Sequence, residues 1–483
     1  MKNRIILYIA VAILGFTSSC KKSFLDVTPE SYINSEQLGK SSAATMGTLR
    51  GIYAGLRSYG LTGYAGHEDY GHKSILSVLD LMGNDVVMLY PNWNMYNYNY
   101  TGRVSTNSRA HMPWFTYYMQ IKNTNTIINN VDENTEDAEL RHVRGQALAL
   151  RGYFHFMLAR IYGPTYKGHE NALCIPLNID TTSLIRKKVS EVYAQIEQDL
   201  EKAVVALEGY TRPNKEMVDQ GVAQAFLADV YLEMGKYAQA ADMAHKARQG
   251  YSLLTESQWK NGFYDINQNE TMWGADINAE LTTFVASFFS HFDNTNTGYA
   301  EGGSISIDRR LYDAMSSTDF RKSSYFGADG GEYDGTEYDP YISLKFRDLT
   351  MPDRTDGDYI YLRSAAMYYI EAEGLARSGK ESEARDALYE ITKQRDPEYL
   401  KSTKSGDALI DEIILQKRIE LWGEGFAWFD LKRLGKGVVR NYAGSNHPSW
   451  GNLNIPAGDN KFLFMIPQAE VDANPAVLPN NPQ

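Results

Sequence analysis

Cysteine is almost absent from this sequence of 483 residues, which contains only Cys20 and Cys174. Because Cys20 has a separate role, argued below, no second cysteine remains to pair with Cys174, and a disulfide framework is excluded. A surplus of positive charge is also absent, since 48 Lys and Arg residues stand against 60 Asp and Glu residues and the formal charge is −12. An acidic chain repels phosphate backbones, so nucleic acid is excluded as a partner.

The N-terminal apolar run is too short to cross a membrane. Ile5–Phe16 has twelve residues, whereas a helix that spans a bilayer needs about 20. Lys2 and Arg4 precede the run, and small polar residues lead from it into Cys20, a pattern typical of a secretory signal. A cysteine at this junction resembles the lipobox of bacterial lipoproteins, so we expect Cys20 to be the lipid anchor. An ordinary signal peptide with an incidental cysteine is the alternative.

Tyrosine, in contrast, is abundant. The chain has 34 tyrosines and 12% aromatic residues, while its 43% hydrophobic and 22% charged residues are ordinary for a soluble globular protein. Tyrosine joins a large apolar ring to a polar hydroxyl, which suits a wet surface that binds a ligand.

Apolar residues recur at helical spacing over much of the chain. From Arg141 to Ile161 they lie three or four positions apart, and Gly163-Pro164 follows as a stop. Val222–Met234 and Tyr237–Ala247 show the same spacing on either side of Gly235, which predicts a helical hairpin. Further helices are predicted at Met112–Val131, Lys188–Leu207 and Asp407–Leu434.

An internal repeat relates this hairpin to Tyr359–Arg395. When Gly235 is aligned with Gly379, Ala228 coincides with Ala372, and a lysine follows each glycine. The repeat resembles the tetratricopeptide helix pair, although the full motif is not met. We therefore predict a mainly α fold built from such pairs.

Two segments lack helical periodicity. Gly262–Asp358 and Gly60–His111 are rich in Gly, Asn, Asp, Ser and aromatic residues. Irregular chain of this length inside a compact protein usually carries function. We expect the binding surface on these two insertions.

Five motifs, in order along the chain, are similar to those of the SusD/RagB family. They are Cys20–Asp26 with Pro29, Arg144–Pro164 ending in Tyr-Gly-Pro, Leu415–Leu421, Glu424–Arg433, and the ending from Ile466-Pro467 through Glu470 and Asn474-Pro475 to Pro482. Two positions depart from the family pattern: Lys417 stands where glutamate is usual, and Asn480 where glutamine is common. The resemblance covers the whole chain.

The resemblance implies a SusD-like fold, a tetratricopeptide-like superhelix of about four helix pairs with long loop insertions. We expect a signal peptide of residues 1–19 and one domain of residues 20–483. Within it we expect a helical part (20–262) with the loop insertion 60–111, an irregular insertion (263–358) and a C-terminal helical part (359–483).

The resemblance also implies a role. Members are lipid-anchored on the outer-membrane surface of Bacteroidota and act as lids on a TonB-dependent transporter of the SusC type. Their ligands are mostly oligosaccharides, and some members handle peptides. We therefore expect a glycan-binding uptake protein that is not an enzyme.

Other functions stay open as alternatives. A peptide-binding RagB-like uptake protein is one, a purely adhesive helical-repeat protein is another, and a surface glycoside hydrolase is a third. A hydrolase needs two carboxylates across a cleft, and 60 acidic residues do not exclude such a pair. No Gly-x-Ser-x-Gly nucleophile motif and no phosphate-binding loop occur in the sequence.

The charged residues of segment 415–433 have two interpretations. Arg418, Glu420, Glu424 and Asp430 could form a catalytic cluster. They recur at helical spacing among apolar residues, however, which favours paired charges that lock helices together.

Residues 90–100 combine the two chemistries that sugar binding needs: a flat ring against the C–H face of a pyranose and polar groups around its hydroxyls. Trp93 is the first candidate platform, with Tyr96 or Tyr98 beside it. Asn97 or Asn99 would donate hydrogen bonds, and Tyr90 is a further candidate. If the segment is extended, alternation puts its tyrosines on one side and its asparagines on the other. The alternative is a tyrosine-faced strand or loop packed on the helices.

A second candidate segment follows in the long insertion. His291, Asn294 and Tyr299 are the candidate contacts there, while Phe284, Phe288 and Phe292 are spaced like a helical core stripe and Trp273 belongs to a predicted buried strand. Asp69 is a further candidate acceptor for a sugar hydroxyl.

We predict no metal and no cofactor. His67 and His72 are five positions apart, whereas two zinc ligands on one helix face are four apart. The acidic run Asp329, Glu332, Asp334, Glu337 and Asp339 and the turn Asp353–Asp358 contain the oxygen ligands that calcium uses, but neither has the helix–loop–helix spacing, so calcium is only an alternative to a solvated acidic loop.

Overall fold

The computed structural model describes residues 41–63, 66–180, 184–350 and 355–483, so Cys20, the proposed signal peptide and Asp353 lie outside the described residues. The first half is mainly helical. Its elements are α1 (Ser42–Arg57), α2 (His72–Leu81), β1 (Val86–Met88), α3 (Met95–Tyr98), a 3₁₀ turn (Thr101–Arg103), α4 (Ser108–Asn130), α5 (Ala138–Tyr162), α6 (Val189–Ala206), α7 (Gln220–Met234) and α8 (Tyr237–Ala247).

Short elements follow in the irregular part, and longer helices return after it. The elements are α9 (Glu256–Trp259), β2 (Thr271–Ala275), α10 (Phe288–Phe292), β3 (Ile305–Ile307), α11 (Arg309–Asp313), a 3₁₀ turn (Phe320–Ser324), β4 (Gly331–Tyr333), β5 (Thr336–Tyr338), β6 (Tyr359–Arg363), α12 (Ser364–Arg377), α13 (Glu381–Arg395), α14 (Gly406–Glu420), α15 (Ala427–Arg433), β7 (Val438–Val439), β8 (Asn454–Ile455), a 3₁₀ turn (Asn460–Phe462), α16 (Gln468–Ala473) and a 3₁₀ turn (Pro475–Val477). Among these described elements, no helix has both the length and the apolar character that a bilayer crossing requires.

The long helices pack in series along the chain. α1 contacts α4, α4 contacts α5, and the order continues through α6, α7 and α8 to α12, which contacts α13 and α14. The predicted hairpin is confirmed: Gly235 ends α7 with a φ of 75°, a left-handed conformation that glycine adopts without strain. The fold is mainly α, as predicted, and its serial packing is consistent with tetratricopeptide-like pairs.

The described residues form four two-stranded antiparallel sheets. They are β1–β3, β2–β6, β4–β5 and β7–β8. The pair β1–β3 joins the two insertions named from the sequence, since Val86 lies opposite Ile307. The pair β2–β6 contains Trp273, which is buried in a strand as predicted.

Part of the first insertion is helical, which corrects the expectation of an irregular segment 60–111. Every residue of α2 is buried, including Lys73, whose Nζ donates to the Ile360 carbonyl at 2.9 Å. Five of the ten residues of α2 are polar, so its burial on all faces is decided by the surrounding chain and not by the composition of the helix.

The single helix predicted over Asp407–Leu434 is two helices. Gly423 and Gly425 separate α14 from α15 with φ angles of 78° and 96°. A Cβ on Gly423 would lie 2.5 Å from the Phe346 ring, and one on Gly425 would lie 2.8 Å from Leu76. Close packing therefore requires glycine at this break.

The four charged residues singled out in segment 415–433 form ion pairs in which the acidic partner is buried, which confirms the structural interpretation of that segment. Glu420 accepts from Arg321, Arg363 and Arg395, all four side chains being fully buried. Glu424 pairs with Lys345 and Arg363, Arg418 with Asp85, and Asp430 with Lys417 and Arg433.

Asp80 differs from the paired carboxylates of Glu420, Glu424 and Asp430 because its pKa is raised and not lowered. Its titration therefore gives a test of the fold. Its carboxyl is buried at the end of α2, where Oδ1 accepts from the backbone N–H of Ala427 at 2.9 Å. Burial raises the pKa of Asp80 to about 7. In the unfolded chain the pKa is about 3.9, so the folded state binds more protons between these values and its stability falls as pH rises from about 4 to about 7.

We expect Asp80→Asn to remove this loss, because the amide keeps the acceptor and cannot ionise. The unfolding free energy of the variant, relative to the parent, should increase between pH 5 and pH 8, as measured by urea unfolding. The exposed Asp411→Asn on α14 is the matched control and should show no such trend. If the unfolding free energy of Asp80→Asn is instead lower than that of the parent, and the difference grows toward pH 8, the folded protein stabilises the ionised carboxylate.

Candidate functional site

Three segments singled out in the sequence meet at one place. The indole Nε1 of Trp93 donates to the hydroxyl of Tyr299 at 2.6 Å, and Nδ1 of His67 lies 2.5 Å from the same oxygen. The His67 ring centroid is 5.2 Å from that of Trp93 and 5.8 Å from that of Tyr299. We call these three residues the aromatic patch.

The hydrogen bonds within the patch have a defined direction. An indole nitrogen only donates, so the Tyr299 oxygen is the acceptor from Trp93. The Tyr299 hydroxyl can then donate to Nδ1 of His67 in the tautomer whose proton is on Nε2. The three rings therefore hold one another through a shared oxygen.

His291 supports the patch from below. It is fully buried, and its ring stacks on Tyr299 with centroids 4.9 Å apart and on Tyr70 at 5.6 Å. Burial lowers the pKa of His291 to about 4, so the ring is neutral at pH 7, and its Nε2 lies 3.0 Å from the His67 carbonyl, to which it can donate. His291 fixes the patch and does not reach a surface ligand, which corrects its assignment as a contact.

A buried ion pair fixes the other side. Arg109, at the start of α4, donates to the Trp93 carbonyl and lies 3.2 Å from a carboxylate oxygen of Glu68. Both charged side chains are buried, and burial lowers the pKa of Arg109 to about 9, which still leaves it a cation at neutral pH. The pair ties the Trp93 loop to the loop that carries His67.

Two further exposed rings, Tyr90 and Tyr96, lie with Trp93 in the segment 90–100. The exposed fraction is 40% for Trp93, 46% for Tyr96 and 57% for Tyr90. Tyr299 and His67 are half-buried. Large exposed aromatic rings are a surface that a ligand can cover.

The local backbone corrects the predicted alternation. Met95–Tyr98 is helical, so successive side chains turn by about 100° and do not alternate between two sides. Tyr96 consequently faces solvent, whereas Asn97 and Tyr98 face the interior.

Three further candidates are interior groups and not surface contacts, because their polar atoms bond to other protein groups or are enclosed by them. Tyr98 bonds His447 at 2.5 Å, and Asn97 is enclosed in the same short helix. Asp69 accepts from the Thr62 hydroxyl at 2.7 Å, and burial raises its pKa.

Asn294 uses both ends of its amide on backbone groups. Its Nδ2 donates to the Ile305 and Ser343 carbonyls and its Oδ1 accepts from the Ile305 N–H. Asn99 is half-buried, and its Oδ1 accepts from the backbone and hydroxyl of Thr101, closing a turn. Asn294 is therefore an interior group, whereas donation from Nδ2 of Asn99 to a sugar stays a prediction.

Two other residues considered in the sequence analysis, His72 and Phe284, lie outside the aromatic patch. His72 is buried between the hydroxyls of Tyr117 and Tyr153, at 2.9 and 3.0 Å. Phe284 is 47% exposed with a φ of 47°, so it does not join the stripe of Phe288 and Phe292. Within the described ranges, no group of three or more His, Cys, Asp or Glu side chains is placed to hold a metal ion.

Sequence reasoning missed the supporting groups. In the sequence His67 is only a candidate metal ligand, and no motif marks Arg109 or Glu68. Their partners lie far away in sequence, His67 being 232 residues from Tyr299, so no local pattern could have identified them.

Two protein-family models match successive parts of the chain. One, described as "Starch-binding associating with outer membrane", matches residues 24–232, and the other, described as "SusD family", matches residues 255–483.

Individual proteins are similar over most of their length. SusD-like protein P2 of Formosa agariphila is 25% identical over 412 residues, 76% of this chain and 79% of that protein. A SusD-like carbohydrate binding protein of Bacteroides vulgatus, solved by crystallography, has 25% identity and a TM-score of 0.79 over 92% of this chain and 98% of its own. Surface glycan-binding protein A of Bacteroides thetaiotaomicron, in complex with laminarihexaose, has 15% identity, a TM-score of 0.66 and coverage of 91% and 99%. At 15% identity the likeness shows the fold alone.

Proposed function

The chain belongs to the SusD/RagB family, and from this premise we propose that it is a lipid-anchored surface protein that binds a glycan and delivers it to a SusC-like, TonB-dependent transporter in the outer membrane. The family description that associates its members with the outer membrane supports the location. The carbohydrate-binding relative of Bacteroides vulgatus and the laminarihexaose complex of a protein with the same fold support the ligand class.

The observation that carries the proposal is the exposed aromatic patch. A pyranose has a face of C–H groups that packs against a flat ring, and an aromatic contact contributes about 0.5–1.5 kcal/mol beyond the area that it buries. Trp93 offers such a face, and its orientation is fixed by Tyr299 and by Arg109. Because the rings are held in place before a ligand arrives, little conformational entropy is lost on binding.

The two acidic residues that follow His67 in the chain are not placed for catalysis. Glycoside hydrolysis requires a carboxylic acid and a carboxylate on opposite sides of the bond that is cleaved. Glu68 and Asp69 are buried, the first against Arg109 and the second against Thr62. Neither presents a carboxyl group to a sugar lying on Trp93.

Trp93→Ala tests the proposal. We expect a panel of polysaccharides, screened by affinity electrophoresis and calorimetry, to contain at least one glycan that the wild-type protein binds. The variant should bind that glycan about ten-fold more weakly, since 1.4 kcal/mol corresponds to a factor of ten. Its thermal unfolding should be unchanged, because the side chain is on the surface.

Phe115→Ala is the matched control, since Phe115 is 37% exposed on α4 and lies outside the patch. Its affinity should equal that of the wild type. Unchanged binding by Trp93→Ala would remove Trp93 from the site. Binding of peptides and of no glycan, or release of sugars by the wild type, would replace the proposal with peptide uptake or with hydrolysis.

A further inference from the structure

A recess of about 480 Å³ lies beside the segment that carries Trp93. Its walls include Leu89, Arg309, Asp339, Pro340 and Asn446. The volume falls within the range of small-molecule sites. Apolar and polar groups both line it, as sugar binding requires.

The recess and the aromatic patch are joined by two chain segments that run side by side. The N–H of Leu89 donates to the Ser304 carbonyl at 2.8 Å, and four residues further along the first segment Trp93 bonds Tyr299. Four extended residues span at most about 14 Å. Tyr90, the most exposed ring of the segment, lies between the recess and the patch in sequence. A chain of a few sugar units can therefore reach from one to the other.

Two side chains of the recess have hydrogen-bonding groups that the protein does not use. Arg309 uses two of its donors within the protein. Its backbone N–H donates to Oδ1 of Asn446 at 3.1 Å, and its Nε donates to Asp313 at 3.3 Å. Within the described part of the chain, the two terminal amino groups of Arg309 and the exposed carboxylate of Asp339 have no protein partner. Neighbouring sugar hydroxyls both donate and accept, so a guanidinium donor and a carboxylate acceptor match them.

The charge around the recess selects against anionic sugars. The hairpin β4–β5 adds exposed carboxylates next to Asp339, with Glu332 directly opposite Glu337. Two cations lie against these carboxylates: Arg309 already shares its charge with Asp313, and the Arg347 guanidinium lies over the Tyr333 ring of the hairpin. A sulfate or uronate group would be repelled at this end of the surface.

We propose that this recess is a second sugar subsite, which binds a neutral unit of the same oligosaccharide that stacks on Trp93. Tyr90 contacts the units between the two positions. The inference rests on the proposed glycan-binding function and adds a ligand class to it: neutral oligosaccharides long enough to span both places.

The test compares short and long probes on the full chain purified in detergent. Calorimetry is run with pairs of two-unit and six-unit malto-, laminari-, cello-, xylo- and manno-oligosaccharides. For the series that binds, the six-unit probe should bind at least ten-fold more tightly than the two-unit probe. Arg309→Ala and Asp339→Asn should each weaken the six-unit probe three- to ten-fold and leave the two-unit probe unchanged.

Control variants separate this inference from the function on which it rests. Arg50→Ala and Asp411→Asn, at exposed positions outside the recess, should bind both probes as the wild type does. Trp93→Ala should weaken both probes. If Trp93→Ala has that effect and the recess variants have none, the subsite is wrong and the glycan-binding function stands. If no pair binds to the wild type although the polysaccharide panel contains a bound glycan, the subsite is wrong and the glycan-binding function stands; if neither set binds, both are wrong. Equal affinity for a six-unit oligogalacturonate would overturn the preference for neutral sugars.

Discussion

Glu420→Gln is expected to destabilise the protein by about 3–5 kcal/mol, the range found when one partner of a buried ion pair is removed. The Glu420 carboxylate accepts from Arg321, Arg363 and Arg395 at 3.0–3.2 Å, and none of these side chains is exposed to water. Glu270 also accepts from Arg363 and Arg395. Without Glu420, three buried cations would lose their shared anion, and the new amide would point N–H donors at other donors.

Urea unfolding at pH 7 measures the effect. Glu256→Gln is the matched control, because Glu256 pairs with Lys260 on the surface, where both side chains are largely exposed, and its change should stay within about 0.5 kcal/mol. A loss for Glu420→Gln no greater than that of the control would show that the arginines find other partners.

The pH dependence of this variant has a defined sign. The neighbouring arginines hold the pKa of Glu420 well below its usual value. A carboxyl whose pKa is lower in the folded state stabilises the fold above its unfolded pKa of about 4.3 and loses this contribution as the pH falls. The difference between Glu420→Gln and the wild type should therefore be largest near neutral pH and smaller in acid.

Cys20→Ala is expected to move the protein from the membrane fraction to the soluble fraction. In the proposed lipid-anchored protein, Cys20 is the residue at the cleavage point of an export signal, where its thiol would be acylated. Each buried methylene of an acyl chain contributes about 0.8 kcal/mol, so two or three chains anchor a protein stably and their loss releases it. Cell fractionation and incorporation of labelled palmitate measure the change.

Cys174→Ala is the control for this experiment. Cys174 is fully buried behind the end of α5, and burial raises the pKa of its thiol to about 12, so it is neither accessible nor reactive. This variant should keep its label and remain in the membrane fraction. A Cys20→Ala protein that still fractionates with the outer membrane would contradict the lipid anchor.

The sequence identified the segments that form the aromatic patch but not which of their residues are exposed. Residues 90–100, 288–299 and 67–72 do meet, but of the ten candidate ligand contacts Trp93, Tyr96, Tyr90 and Tyr299 have rings that reach the surface, while Asp69, Asn97, Tyr98, His291 and Asn294 are interior. A tyrosine or asparagine in an irregular segment has the same sequence signature in both settings. Burial is decided by the neighbours that the rest of the chain supplies.

Motifs in the amino-acid sequence identified the family, and its periodicity determined the long helices and the break at Gly235. The helices depend on local spacing, because apolar residues three or four positions apart produce a buried stripe whatever the chain does elsewhere. The sequence indicated that the charges of segment 415–433 are paired, but their partners lie up to 333 positions away and were decided by the tertiary structure. Only the tertiary structure decided that His67, Trp93 and Tyr299 share one hydroxyl oxygen and that Arg109 and His291 hold them in place. Those contacts join residues up to 232 positions apart, and they exist because the β1–β3 pair and the helical frame close the chain on itself, which no local pattern records.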